Sequence, residues 1–348
     1  MTRFDASEAT LDTNGLFQRD SWRESVAKIL VPTRERDTDG NGQLFTVPGF
    51  HHQPLVAVIR AAFSEASSRW FHLTPFKRFW KSPLTGREQR VYDELYTSDA
   101  WNKAHDELQK QKRDDGCQLE RVIAGLMFWS DATHLAQFGN ASAWPVYLFF
   151  GNQSKYVRAC PTTNACHPIA FIPSLPESIV GFIGKYVKTK SISDILTHCK
   201  RELFHALWRI LLDDEFLDAY RNGIVIKCHD GMSRRVFPRI FTYSADYPEK
   251  VLIATIRDKG VCPCPRCFLP KSRFDQLGLK ADISARIKSV RLYLRDKVFA
   301  ARLDFFPMLV VDLLHEFELG VFKYVFKHLI RLLYAINHES VALLNERY

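Results

Sequence analysis

The sequence predicts a mixed α/β protein. Apolar strand-like runs recur from about residue 118, a long helical stripe spans Ser193 to Asn222, and strand patterns resume behind it. The 348 residues are 46% hydrophobic and include 26 Phe, 12 Tyr and 7 Trp. Such a composition supplies a substantial core and excludes disorder as a description of most of the chain. The length suits two domains or one elaborated domain.

In chain order, residues 1–30 read as polar and partly helical, with Ser21-Trp22-Arg23-Glu24 as a weak helix start. Residues 34–53 are rich in Gly, Asp and Asn and read as a loop. Helical periodicity follows in LVAVIRAAFSEASSRWF and in the charged stretch REQRVYDELYTSDAWNKAHDELQKQKRDD, so 1–115 is expected to be a mostly helical N-terminal module. LERVIAGLMFWSD, WPVYLFFGN and CHPIAFIPSLP are apolar runs separated by turn signals, as strands of a buried sheet are. Behind the helical stripe, GIVIKC, VFPRIFTYSAD and KVLIATIR read as further strands, which sets the expected core at 116–260. Residues 271–302 carry nine Lys or Arg against three Asp, either a solvated helix face or a phosphate-contacting one. The segment 312–348 reads as helical.

The formal net charge is +9 with a pI near 9.1, which favours an anionic partner such as nucleic acid. The opening MTRFDASEATLDTNG has no apolar core behind a basic start, so no secretory signal is expected. Apolar runs are short and interrupted by charge, so no membrane span is expected either. The eight cysteines then read as thiols or metal ligands rather than disulfides. Cys117, Cys160, Cys166, Cys199 and Cys228 are scattered singly and read as packed apolar side chains.

Chemistry concentrates in four places. Asp131 ends the run FWSD and Asp246 ends YSAD. A carboxylate at such a position should face a cleft or a cation, unless it serves as an N-cap or turn residue. Tyr-Pro after Asp246 reads as a bar to helical continuation at Tyr247. Asp230, before Gly231, competes with Asp246 but also reads as a turn. Two carboxylates on adjacent strands can hold divalent ions for displacement at phosphorus. A third acid is normally wanted; Glu316, Glu318 and Glu339 are present, all in helical context. In CPCPRC, Cys264 and Cys267 have the spacing that presents two thiolates to a zinc ion, with a redox pair or packed thiols as alternatives and Cys262 as a substitute ligand. His315, with Asp312 three residues earlier on the same helical face, is the best further ligand; His328 falls on nearly the opposite face.

The strings FWSDATHLAQFGNASAWPVYLFFGNQSKYVRACP, HDGMSRRVFPRIFTYSADYPEKVLIATIRDKGVCPCPRC and DLLHEFELGVFKYVFKHLIRLL, in this order, closely resemble the Plavaka transposases of fungal mobile elements. That family is similar to the Kyakuja–Dileera–Zisupton and CACTA-type transposases. The resemblance runs from about residue 70 to the C-terminus. It implies a ribonuclease H-like mixed sheet core with a DDE/D triad, acting in the nucleus on double-stranded DNA in cut-and-paste transposition. It matches Asp131 to the first catalytic aspartate and Asp246 to the second, with Mg²⁺ or Mn²⁺ as their ion. Cys264 and Cys267 fall on the CxxC signature, and Asp312 and His315 on D-x-x-H, as a Zn²⁺ site. Residues 261–311 would then be a zinc-containing helical insertion. The third acid of such enzymes lies on a later helix, and the family's chains continue past LLNERY, so the chain is expected to be a truncated copy. A homo-oligomer is compatible with this reading.

Two functions compete on these residues: a transposase catalytic region, and an inactive DNA-binding or interaction remnant that keeps the fold and the zinc. A small-substrate enzyme is disfavoured, because the chain has neither a P-loop nor a GxGxxG turn.

Overall fold

Alternation of apolar and polar residues builds the first two strands, β1 (Arg23–Val31) and β2 (Gln43–His52). Ala27, Ile29 and Val31 point inward on β1, and Val47 and Phe50 do so on β2. The computed structural model describes residues 22–33, 42–112, 115–134, 142–187, 192–288 and 306–346. They form two units, one of the described residues up to Tyr243 and one of those from Ser244 onward.

The first unit continues through α1 (Leu55–Ser64), the hairpin of β3 (Arg78–Lys81) and β4 (Glu88–Val91), and α2 (Asp99–Lys110). Next come β5 (Glu120–Ser130), the short pair β6 (Thr133–His134) and β7 (Ser142–Ala143), β8 (Pro145–Phe150), α3 (Lys155–Arg158) and β9 (His167–Phe171). The helices α4 (Ser178–Gly184), α5 (Ile192–Leu211) and α6 (Asp214–Asn222) lead to β10 (Ile224–Lys227) and β11 (Ser233–Ser244). Seven strands lie in the order β1-β2-β9-β8-β5-β11-β10. The pairs β1/β2, β2/β9, β9/β8, β8/β5 and β10/β11 are antiparallel.

The strands β5 and β11 are neighbours and run parallel, as their ends reveal. Arg234, near the start of β11, donates to Glu120 at the start of β5 over 2.7 Å. Tyr243, near the end of β11, shares a 2.6 Å hydrogen bond with Ser130 at the end of β5. The sheet is therefore mixed.

β5 is buried continuously from Arg121 to Leu126 because both of its faces are covered. On one face α2 lays Trp101 against Gly125 and stacks it on Phe241 at 4.8 Å, beside Ile123 and Phe237. On the other, Trp208 of α5 packs edge-on against Phe128 at 5.0 Å and against Tyr243 at 5.5 Å. The buried amide of Asn152 ties the layers: its oxygen accepts the Gly125 N–H, and its nitrogen donates to the carbonyls of Ile123 and His72.

The second unit is mostly helical, with one two-residue strand (Leu309–Val310): α7 (Tyr247–Ile253), a 3₁₀ turn (Lys271–Gln276), α8 (Lys280–Lys288), a π-helix (Leu313–Phe322), α9 (Lys323–Ile336) and α10 (His338–Glu346). No helix among the described residues is long and apolar enough to cross a membrane.

Four readings of local structure change. The polar stretch before residue 54, read as helix and loop, contains β1 and β2, because the period-two pattern outweighs the turn-prone composition. Part of the charged helical stretch forms β4, and the helix starts only where the Ser98 hydroxyl accepts the Trp101 N–H. The stripe from Ser193 to Asn222 is two helices, the second capped by Asp213. The first half of KVLIATIR, read as a strand, lies in α7, and the rest is turn and coil.

A Cβ on Gly125 would sit 2.0 Å from the Trp101 ring. Gly125→Ala is expected to destabilise the first unit by about 1–3 kcal/mol through overpacking, read as a lower urea midpoint at unchanged m-value. Burial holds the imidazoles of His52, His72, His105 and His167 below the ordinary histidine pKa. The unfolded chain therefore binds protons that the folded chain refuses. The stability is fully present above the unfolded value of about 6.5 and is lost as the pH falls toward the lower folded values. Melting temperature should drop between pH 7.5 and 5.5, by about 2–4 °C per kcal/mol lost, and His167→Gln should make that drop shallower.

Candidate active site

Asp131 follows the last residue of β5, where the Ser130–Tyr243 hydrogen bond closes the strand end. The carboxylate is half-buried and takes no hydrogen bond or ion pair among the described residues. Beside it Tyr147 stacks on Trp129 at 5.3 Å. Burial, then the negative charges of Cys166 and Asp131, push the Tyr147 phenol above its ordinary pKa. Tyr147, Ser130 and Tyr243 carry no sequence signal that separates them from ordinary strand residues.

Asp230 lies in the turn after β10, at the start of β11. Its carboxylate pairs with Arg234 at 2.7 Å and accepts the Met232 N–H at 3.0 Å. Arg234 holds this carboxyl below the usual carboxylate range. Gly231 supplies the positive φ, +80°, that the turn requires. Its turn reading is the one the structure gives it.

Asp246, in the second unit, is the N-cap of α7: its Oδ1 accepts the Glu249 N–H at 2.8 Å. Pro248 does not bar the helix. It stands in the first turn, where its missing N–H has no partner to lose and its fixed φ suits the helix. One turn on, Lys250 is 2% exposed and pairs with Glu316 at 2.9 Å. Glu316 also accepts the Asp312 N–H at 3.2 Å. Asp312 is buried, caps the π-helix through the Leu314 N–H, and holds the Nδ1 of His315. Asp312 and His315 thus form one unit, with the carboxylate orienting the ring.

Cys264 and Cys267 also come together. Burial pushes the Cys267 thiol up, and Cys264 beside it adds to the shift. Arg286 donates to Cys267 Sγ at 3.8 Å and is itself held by both oxygens of Asp282 at 3.0 Å. The Tyr247 hydroxyl donates to the Pro263 carbonyl at 3.2 Å and fastens the cysteine loop to the start of α7. Among the described residues, no group of three or more Cys, His, Asp or Glu is arranged to hold a metal ion. The structure therefore forms the thiol pair and the aspartate–histidine pair but does not join them.

A family model described as Plavaka transposase matches residues 22–332 of the chain. No curated protein and no solved structure matches.

Removing one partner of a buried ion pair strands the other charge. Glu316→Gln is expected to cost about 3 kcal/mol or more, because the Lys250 ammonium stays buried. The double variant Lys250→Met/Glu316→Gln should recover much of that loss, as urea unfolding of the single and double variants would show.

Proposed function

The chain belongs to the Plavaka transposase family, and from that premise we propose that it carries the metal-dependent DNA-cleaving and strand-transferring site of a cut-and-paste transposase. The substrate is double-stranded DNA, at element ends and target, and the work is done in the nucleus. Asp131 and Asp246 are the carboxylates of the site.

The observation that carries this reading is the parallel pair β5/β11 with its ends level. Asp131 is the first residue beyond β5, and Asp246 the second beyond β11. The antiparallel run β9-β8-β5 with β11 added in parallel supports a ribonuclease H-like core.

The side-chain types, though not brought together as a metal group among the described residues, are those that the family's ions take. Asp131 and Asp246 offer hard oxygens for Mg²⁺ or Mn²⁺, which when bound supply an activated water or 3′-hydroxyl and a stabilised leaving oxygen. The cap bond fixes the Asp246 carboxylate through one oxygen and leaves the other available for coordination. Asp131 extends from a strand end locked by Ser130 and Tyr243, so its backbone position is set before substrate arrives. Cys264, Cys267, His315 and Asp312 are the donors for a structural zinc, which would tie the cysteine loop to the π-helix.

A second reading, a DNA-binding remnant without catalysis, draws on two observations. Asp246 has a complete structural role as a cap, and Glu316, an acid available for the third position, is held by Lys250. The two readings part in a nicking assay on supercoiled plasmid with Mn²⁺. Catalysis predicts metal-dependent nicking that Asp131→Asn and Asp246→Asn each lower by at least about a hundredfold, with DNA affinity within about threefold of the parent. If the parent protein binds the plasmid without nicking it, the remnant reading holds.

A further inference from the structure

The β3–β4 hairpin has no buried residue in either strand, yet carries Phe79 at 56% and Trp80 at 51% exposure, with Leu84 at 94% on its connecting turn. Two exposed strands with no core face are marginal by themselves. This pair is held at its base by arginine. Arg90 donates to the carbonyls of Arg78, Val91 and Thr97 and lies over the rings of Phe79 and Tyr92, while Arg78 pairs with Asp93. The anchoring groups are therefore distinct from the outer ones. Lys77, Lys81 and Arg87 are exposed, and their side chains have no hydrogen-bond or ion-pair partner among the described residues.

We infer that this hairpin is a double-stranded DNA contact that inserts into the major groove. The inference rests on the transposase reading for its partner class; the site itself is argued from the hairpin. From Lys77 to Arg90 there are five cationic side chains, Lys77, Arg78, Lys81, Arg87 and Arg90, against one acid, Glu88. A two-stranded ribbon fits the major groove, which is about 12 Å wide. Register places Trp80 opposite Gln89 on one face, and Arg87 immediately precedes β4, two positions before Gln89. Arginine and glutamine are side chains that read guanine and adenine edges in pairs of hydrogen bonds. Lys81 shares the other face with Phe79, and with Lys77 it supplies phosphate contacts.

The test is fluorescence anisotropy with a labelled random-sequence duplex and a labelled single strand of equal length, over a salt series. The triple variant Lys77→Ala/Lys81→Ala/Arg87→Ala should bind the duplex at least about tenfold more weakly, with a log–log salt slope smaller by roughly three. Lys28→Ala, an exposed cation on β1, should change affinity less than twofold, and circular dichroism should match the parent for both variants. If the parent binds duplex and the triple variant binds as well as Lys28→Ala, the hairpin assignment is overturned and the transposase reading is untouched. If the hairpin contributes only to single-strand binding, groove insertion is overturned. If the parent binds no duplex at low salt, the DNA-partner reading fails and takes this inference with it.

Discussion

The parallel pairing of β5 with β11 is the constraint on which the first unit depends. Parallel neighbours cannot be joined by a hairpin, so the chain must travel through a long crossover between them. Here the crossover holds β8, β9 and the helices α4 to α6, which makes the pairing a long-range commitment. Each end of the pair is fixed differently. At the start, Glu120 and Asp230 share Arg234, and Asp115 pairs with Arg235. At the finish the link is a buried, uncharged Ser130–Tyr243 hydrogen bond. Arg234 and Arg235 are thus spent at the end away from Asp131. That carboxylate is left half-buried and without an ion pair among the described residues.

Much of this core is legible in the sequence, because burial on both faces removes the polar half of a strand's alternation. LERVIAGLMFWSD, WPVYLFFGN and CHPIAFIPSLP became β5, β8 and β9. The failures share a cause: the decisive partner is distant. β1 and β2 have ordinary alternation that a polar, Gly-containing neighbourhood obscures, and their pairing with each other and with β9 settles them. Gly125 is likewise explained only by Trp101, twenty-four residues earlier, whose ring fills the space a Cβ would take. Among candidate site residues, Cys264 lies beside Cys267 and Asp312 beside His315, neighbours that their local spacing already suggests. The Lys250–Glu316 pair spans a long sequence separation, and nothing near either residue announces it.

That pair alters how the second unit should be understood. A lysine removed from water costs several kcal/mol unless an anion faces it, so Glu316 fixes the register between α7 and the π-helix. Asp312 and His315 sit on the same turn as Glu316, and the cysteine loop hangs from Tyr247 at the start of α7. The aspartate–histidine pair is thus attached to the π-helix end of this contact, and the cysteine loop to the start of α7.

The cap made by Asp246 does not by itself explain why an aspartate is there. Serine, threonine and asparagine cap helices about as well, each offering one acceptor to the same N–H. Aspartate adds a negative charge and a second oxygen, and only Oδ1 is used by Glu249. A cap bond also immobilises the side chain before any ligand is present, removing a rotamer cost that a free carboxylate would carry into metal binding. The structural role and the proposed catalytic one thus reinforce each other. Pro248 belongs to the same logic: by presetting the first turn of α7 it favours the helix whose N-terminus the Asp246 carboxylate caps.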